Sequence, residues 1–450
     1  MKNLRSTLIL KTLQRIKFAC VFGCLLAVII LMPGNGYGKI SIDINSPSME
    51  RIKIAIPDFK NQNPLKEDPE LAVSMPEVIS SDLELSGYFM PMDKKAFLDQ
   101  DGAALTPEGI IFKNWTIIGA ELLLKAGYTR IDASNIEVEI RLYDTFSGNE
   151  MLGKKFLGKI DSYRTLMHRV ANEIISAITG TSGMFLSRLA FVNNQTGNKE
   201  IYICDFDGQN VERMTSNNSI NLLPRWSPQG DKLAFNSFKD GGLMLYLMDV
   251  SSRSVRKISG RDGSNIGAGW LPDGKTLALA MSKGGNPDIY TIDMNGNVVE
   301  QLTNHWAIDL SPSFSPDGSK MAFVSNRSGK PQIYVKDLQT GNEERITFDM
   351  DYCTSPVWSQ ANKIAFASMD GKDKVDIYVI NPDGSGLKRL TEDNGNNEDP
   401  CWSPDGRYMV FSSNRDGGGS HLFIMNANGQ NQRRVTFLKG QDTSPSWSPF

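Results

Sequence analysis

The stretch FSPDGSKMAFV, residues 314–324, joins an aromatic to a tight turn and then to a short apolar run. Pro316 presets φ near −65° and Gly318 closes the turn, so the chain reverses and leads into a buried strand. The same turn recurs as SPQG at 227, LPDG at 271 and SPDG at 403, and shortens to SQAN at 359. The apolar run recurs as LAF at 189 and 233, LALA at 277, MAFV at 321, IAFA at 364 and MVF at 409. Around it stand two ladders of equivalent positions: Trp226, Trp270, Phe314, Trp358, Trp402, Trp447, and Tyr202, Tyr246, Tyr290, Tyr334, Tyr378, Phe423. Each step is 44 residues except the last, which is 45.

A third run carries the Tyr ladder (YICD, YLMD, YTID, YVKD, YVIN), and a fourth is polar and basic (VERMT, VRKIS, VEQLT, EERIT, LKRLT, QRRVT). Four short strands in a unit of about 40–45 residues describe a propeller blade. The polar fourth strand suits an outer edge, where an apolar strand would invite pairing with other chains. The first unit begins at Leu189 with no W-S-P-D-G ahead of it, and the last ends on Trp447-Ser-Pro-Phe450. The simplest arithmetic makes SPSWSPF the innermost strand of the blade begun at 189, which closes six blades into a ring. An open array would instead carry polar capping repeats.

Residues 1–38 read as an export signal. Lys2, Arg5, Lys11, Arg15 and Lys17 precede the apolar core FACVFGCLLAVIILM (18–32); Pro33 breaks it, and Gly36-Tyr37-Gly38 offers cleavage before Lys39. A run of 15 apolar residues falls short of the ~20 that span a bilayer. Cys24 lies too deep in the core for a lipid anchor. Removing 1–38 takes the formal net charge from −3 to about −8, a poor balance for nucleic acid. Cys204, Cys353 and Cys401 then remain, an odd number at non-equivalent blade positions, which reads as small buried residues and not as a disulfide framework.

Residues 39–180 do not repeat and read as an α/β domain, with the propeller at 188–450. Lys39-Ile-Ser-Ile-Asp-Ile44 alternates as a strand, and RIKIAIPDF (51–59) forms another. PEVISSDLELSG (76–87) reads as a helix, IIGAELLLKAG (117–127) as either strand or helix, and IEVEIRLYD (136–144) with KKFLGKI as a hairpin. SYRTLMHRVANEIISAITG (162–180) has the helical period and stops at Gly180.

No G-x-S-x-G elbow and no paired-histidine metal motif occurs; the three histidines are His168, His305 and His421, the last in a Gly-rich loop between strands. D-x-D-G at 205–208 resembles the start of a calcium loop but lacks the distal acid, and equivalent blades carry ordinary Asn/Asp-Gly turns. The chain therefore reads as a binding protein without catalytic residues, metal or cofactor. In a propeller the segment entering each innermost strand rims one mouth of the channel. Here it holds Asn221, Asp309, Asp351 with Thr354, Asn397 with Asp399, and Asp442, together with His305 and Trp306 in one blade. That ring predicts an acidic docking mouth. The alternative is a metal-dependent hydrolase or lyase using the acidic channel, which needs three convergent carboxylates.

An exported α/β domain followed by six W-S-P-D-G-x-x-[ILM]-A-F blades resembles the TolB family of the Tol–Pal envelope system, over the whole of residues 39–450. KISIDI, IPDF and the closing PSWSP are the discriminating pieces, since W-S-P-D-G repeats also occur in peptidase propellers. The resemblance implies a monomeric, non-enzymatic periplasmic adaptor supporting outer-membrane integrity and constriction at division. It implies that the peptidoglycan-associated lipoprotein Pal docks in the mouth, on the ring just named, with other outer-membrane envelope proteins as further partners. It also implies that TolA engages the mature N-terminus, here Lys39, Ile40, Ser41, Ile42, Asp43 and Ile44. An alternating strand at a free end suits pairing with a partner's sheet edge.

Overall fold

The computed structural model describes residues 51–63, 69–98, 105–261, 263–282, 285–369, 374–392 and 395–449. The export signal and the segment Lys39 to Ile44 lie outside the described residues.

The α/β part is one sheet of β1 (Ile52–Ala55), β2 (Lys60–Asn61), β3 (Phe89–Pro91), β4 (Leu122–Arg130), β5 (Asn135–Asp144) and β6 (Glu150–Lys159). Its order is β3-β1-β4-β5-β6, with β2 alongside β4. Helices α1 (Pro69–Leu85) and α3 (Tyr163–Thr179) cover one face, where Val78, Leu83, Val170 and Ile174 meet Leu124, Val138 and Ile140. The short helix α2 (Phe112–Ile117) sets Trp115 on the other face against Leu123 and Tyr143. Strand β4 is thus buried on both sides, which is why its run of leucines lacks the alternation of a half-exposed strand. Gly127 does not end it; a Cβ there would meet Gln62 Nε2 at 2.6 Å. Gly180 does end α3, in the left-handed conformation at φ 72°.

Helix α1 starts at Pro69, a full two turns before the start read at Pro76. Pro76 has no N–H for the Ala72 carbonyl one turn back, normally a reason for a helix to break. The Phe59 N–H takes that carbonyl instead, at 2.9 Å. The internal proline so ties the helix to the segment leaving β1.

Among the described residues the propeller comprises six four-stranded antiparallel sheets, five of them running outward in chain order. The ring closes as read: Asp442–Trp447 is the innermost strand beside Arg188–Asn193, with Trp447 opposite Leu189 and Asp442 opposite Asn193. Every first strand carries a bulge whose third residue has positive φ: Leu223 (52°), Gly267 (67°), Ser311 (55°), Ser355 (51°), Asp399 (52°) and Ser444 (52°). Proline follows in five of them, and the bulge is where its missing donor costs no ladder bond. In the blade without that proline the bulge residue is Gly267. Trp226 packs between Ile201 and Ile203 of one blade and Leu233 and Phe235 of the next, so its ladder cements neighbouring blades. The second ladder pairs across strands, as in Phe235–Tyr246 at 5.7 Å and Phe366–Tyr378 at 5.8 Å.

The α/β part packs on the propeller face that carries the turns between first and second and between third and fourth strands. Phe185, Phe206, Tyr408 and Trp447 join its helices in one continuous core. Tyr408 donates its hydroxyl to the Ser86 carbonyl at 2.7 Å, and Arg407 Nη1 reaches the Tyr88 hydroxyl at 2.8 Å. The described residues of the α/β part leave the opposite face, where the chain enters each first strand, uncovered.

Candidate docking face at the propeller mouth

A buried polar ring underlies the open face. At the blade junctions the Thr or Ser at the end of the fourth strand bonds to a polar residue at the start of the third strand or, for Ser259 and Thr436, to Asn265 and Asp442 of the next innermost strand. In five of the six junctions among the described residues its hydroxyl accepts a backbone N–H from the third strand, for example Ile201 to Thr215 at 2.8 Å and Ile377 to Thr391 at 3.0 Å. The hydroxyl proton goes to a side chain: Thr391 to Asp376 at 2.6 Å, Thr347 to Gln332 at 2.8 Å, Thr436 to Asp442 at 2.7 Å. Asn397 Nδ2 adds a bond to Asp376 at 2.9 Å, and Asn221 Nδ2 one to Glu200 at 3.0 Å. A backbone donor so close to the channel must be satisfied internally, and the repeat supplies one threonine per blade to do it.

This ring corrects the sequence reading of the mouth. Asn221, Asp309, Asn397 and Asp442 are each 0% exposed. Asn221, Asn397 and Asp442 bond to the neighbouring blade, Asp309 bonds within its own, and none of the four side chains is exposed at the mouth. Asp309 accepts Arg327 Nη2 at 2.9 Å, while the guanidinium lies 4.9 Å from the Tyr334 ring centre. Asp442 takes His421 Nδ1 at 3.0 Å and Asn193 Nδ2 at 2.7 Å. His421 therefore starts a strand, buried, and is not in a loop. Asp399 is half-buried and clips adjacent first strands across the channel, accepting from the Ser355 hydroxyl at 3.2 Å and the Ser444 N–H at 3.1 Å. Among the described mouth acids none converges with two others, as the hydrolase alternative requires.

What the face does present is aromatic. Trp306 is 70% exposed, and its ring lies 5.2 Å from that of half-buried His305. The loop carrying both is fastened from below: the His305 N–H donates to Asp288 Oδ1 at 3.1 Å, and the Ala307 N–H to His305 Nδ1 at 3.1 Å. Burial and the neighbouring Asp309 charge push the Asp288 carboxyl up from its usual range. Asp351 pairs with Lys330 at the rim, beside exposed Tyr352 and half-buried Thr354.

Phe348 and Phe437, 58% and 72% exposed, were not singled out from the sequence. Each directly follows a ring threonine, in R-I-T-F and R-V-T-F, with Arg345 and Arg434 set 4.9 and 4.8 Å over the rings. That recurrence was the available signal. The arginines hold the rings outward by cation–π contact. The channel below holds a cavity of about 270 Å³ lined by residues such as Arg225, Ser311 and Cys401.

Residues 40–151 match the TolB amino-terminal domain, and residues 175–373 and 360–450 match the TolB beta propeller domain. The Tol-Pal system protein TolB of Desulfosudis oleivorans is 39% identical over 210 residues, 46% of this chain and 48% of that protein. That of Syntrophotalea carbinolica is 38% identical over 195 residues, 43% and 44% of the two chains. The chain spans about half the length of the curated relatives it matches. The crystal structure of TolB from Acinetobacter baumannii superposes with a TM-score of 0.78 at 27% identity, covering 89% of this chain and 98% of that one.

Proposed function

The chain belongs to the TolB family, and from that premise we propose that it is a periplasmic, non-enzymatic adaptor of the Tol–Pal system. Pal docks on the open propeller face, and TolA takes the N-terminal segment Lys39 to Ile44, supporting outer-membrane integrity and constriction at division. The protein acts as a monomer, exported by cleavage between Gly38 and Lys39. Among the described residues no helix is long and apolar enough to cross a membrane.

One observation carries the reading. Trp306, Phe348 and Phe437 stand exposed around a face that the described residues of the α/β part leave uncovered, with positions fixed by buried bonds beneath them. Large rigid aromatics at a rim are the residues that dominate interface energetics. Of the mouth residues read from the sequence, Trp306, His305, Asp351, Thr354 and Asp399 remain partner contacts in this proposal. The buried Asn221, Asp309, Asn397 and Asp442 support them from below.

The test is recovery of envelope partners from crosslinked cells by tagged protein spanning residues 39–450, beside a Trp306→Ala variant. Recovery of a peptidoglycan-associated lipoprotein by the parent and its loss in the variant supports the reading. Equal recovery by both removes the mouth as the docking site.

A further inference from the structure

A second constellation lies on the opposite face, where the α/β part meets the first blade. Asp82 on α1 and His168 on α3 are both fully buried, with Asp82 Oδ2 2.7 Å from His168 Nδ1. This bond fixes the imidazole and turns Nε2 toward the propeller. Among the described residues Nε2 has no hydrogen-bond partner, and it stands 3.8 Å from Asp207 Oδ2. Asp205 and Asp207 flank Phe206, whose ring packs edge-on to the imidazole at 5.2 Å. Ligand atoms of His168, Asp205 and Asp207 lie within 4.8 Å of one another. The turn itself is rigid: Gly208 sits at φ 82°, and a Cβ there would meet the Val435 carbonyl oxygen at 1.7 Å.

We propose that His168, Asp205 and Asp207 form a divalent transition-metal site of the zinc class, with Asp82 as its orienting carboxylate. A carboxylate on one ring nitrogen and an open second nitrogen facing carboxylates is the arrangement that histidine ligands adopt around zinc. Ligands about 2.0–2.2 Å from the ion stand roughly 3.3–3.5 Å apart in a tetrahedron. Closing from 4.8 Å to that spacing takes a side-chain rotation that frees Asp205 from Asn210 Nδ2, now at 2.6 Å. The charge balance favours a cation. Asp82, Asp205 and Asp207 face Arg164, which pairs with Asp207, and the nearby Arg433. Arg164 must release Asp207 on loading. Its side chain is 29% exposed, which gives it a route to solvent once the pair with Asp207 opens. The loaded site fastens α3 to the first blade and stiffens the junction between the two parts of the molecule. This departs from the expectation of no metal, and does not depend on what the mouth binds.

The experiment is zinc titration by calorimetry on metal-stripped protein spanning residues 39–450, with cobalt(II) absorption as a second probe of coordination. One equivalent is expected, with a rise in Tm and a tetrahedral cobalt spectrum, all lost in His168→Ala and in Asp205→Asn. Asp205→Asn keeps the fold if His168→Ala does not. Arg164→Ala is expected to bind at least as tightly as the parent. No stoichiometric uptake by the parent, or undiminished uptake by Asp205→Asn, overturns the proposal and leaves the cluster an ion-pair network.

Discussion

The backbone N–H of His305 donates to Asp288 Oδ1 at 3.1 Å, so an exposed aromatic loop hangs from a carboxylate in the buried polar ring. Asp288 faces Asp309, and burial with that charge raises its folded-state pKa above 3.8. A raised carboxyl pKa means that the folded protein binds the proton more tightly than the unfolded chain. The stabilisation is therefore fully present below the unfolded-state value and is lost as pH rises from there through the raised folded-state value. Asp288→Asn removes the titration while keeping an acceptor for His305. Between pH 4 and pH 7 the parent should lose stability relative to the variant as pH rises. Parallel melting profiles for the two proteins would show that Asp288 carries no such strain.

Trp306→Ala should weaken partner binding by roughly tenfold or more, as expected of an exposed hot-spot aromatic. It should leave thermal stability within about 0.5 kcal/mol, since the ring packs on little but His305. Phe348→Ala and Phe437→Ala should act in the same direction and more weakly. Affinity by calorimetry beside a melting curve separates the two effects; a variant that loses both has lost its loop and says nothing for the face.

The ring threonines offer an internal comparison. Thr391 donates to a carboxylate, Asp376, at 2.6 Å, whereas Thr347 donates to a neutral amide, Gln332, at 2.8 Å. Valine at either site leaves one buried backbone N–H unpaired, Ile377 or Ile333. Thr391→Val should cost about 2–4 kcal/mol, and Thr347→Val about 1 kcal/mol less, because bonds to charged groups are the stronger. Urea midpoints measure the order. Equal losses would assign the whole cost to the backbone donor.

Legibility in the sequence followed what each signal depended on. The ring and its closure rest on a 44-residue register, a property of the chain alone, and the innermost strand Asp442–Trp447 sits where the ladder placed it. Asp68-Pro69-Glu70 is itself a helix-start pattern, but continuing α1 through Pro76 rests on Phe59 taking the carbonyl that Pro76 cannot, which no local pattern announces. Asn221, Asp309, Asn397 and Asp442 looked solvated because polar residues at loop ends usually are. For Asn221, Asn397 and Asp442 the buried setting is built with a threonine six residues earlier and a side chain 21 residues earlier, as Thr391 and Asp376 stand to Asn397. Both partners recur in the repeat, so the network was visible in principle once the positions were compared jointly. Phe348 and Phe437 became legible only afterwards, as the residues that a ring threonine pushes outward.

Tyr408→Phe tests how the two parts are held together. Its hydroxyl donates to the Ser86 carbonyl at 2.7 Å in a buried setting, linking the last blade to the end of α1. The phenyl ring keeps the packing with the shared core and removes only the donor. An unpaired buried carbonyl costs about 1–3 kcal/mol. The loss should be local, because the neighbouring Arg407 bonds to the Tyr88 hydroxyl and to Thr181 remain. Amide hydrogen exchange should therefore quicken around residues 83–89 with little change in the second and third blades. Uniform quickening across the propeller would mean that the junction and the ring unfold as one unit, and unchanged exchange would mean that the apolar core alone sets the junction.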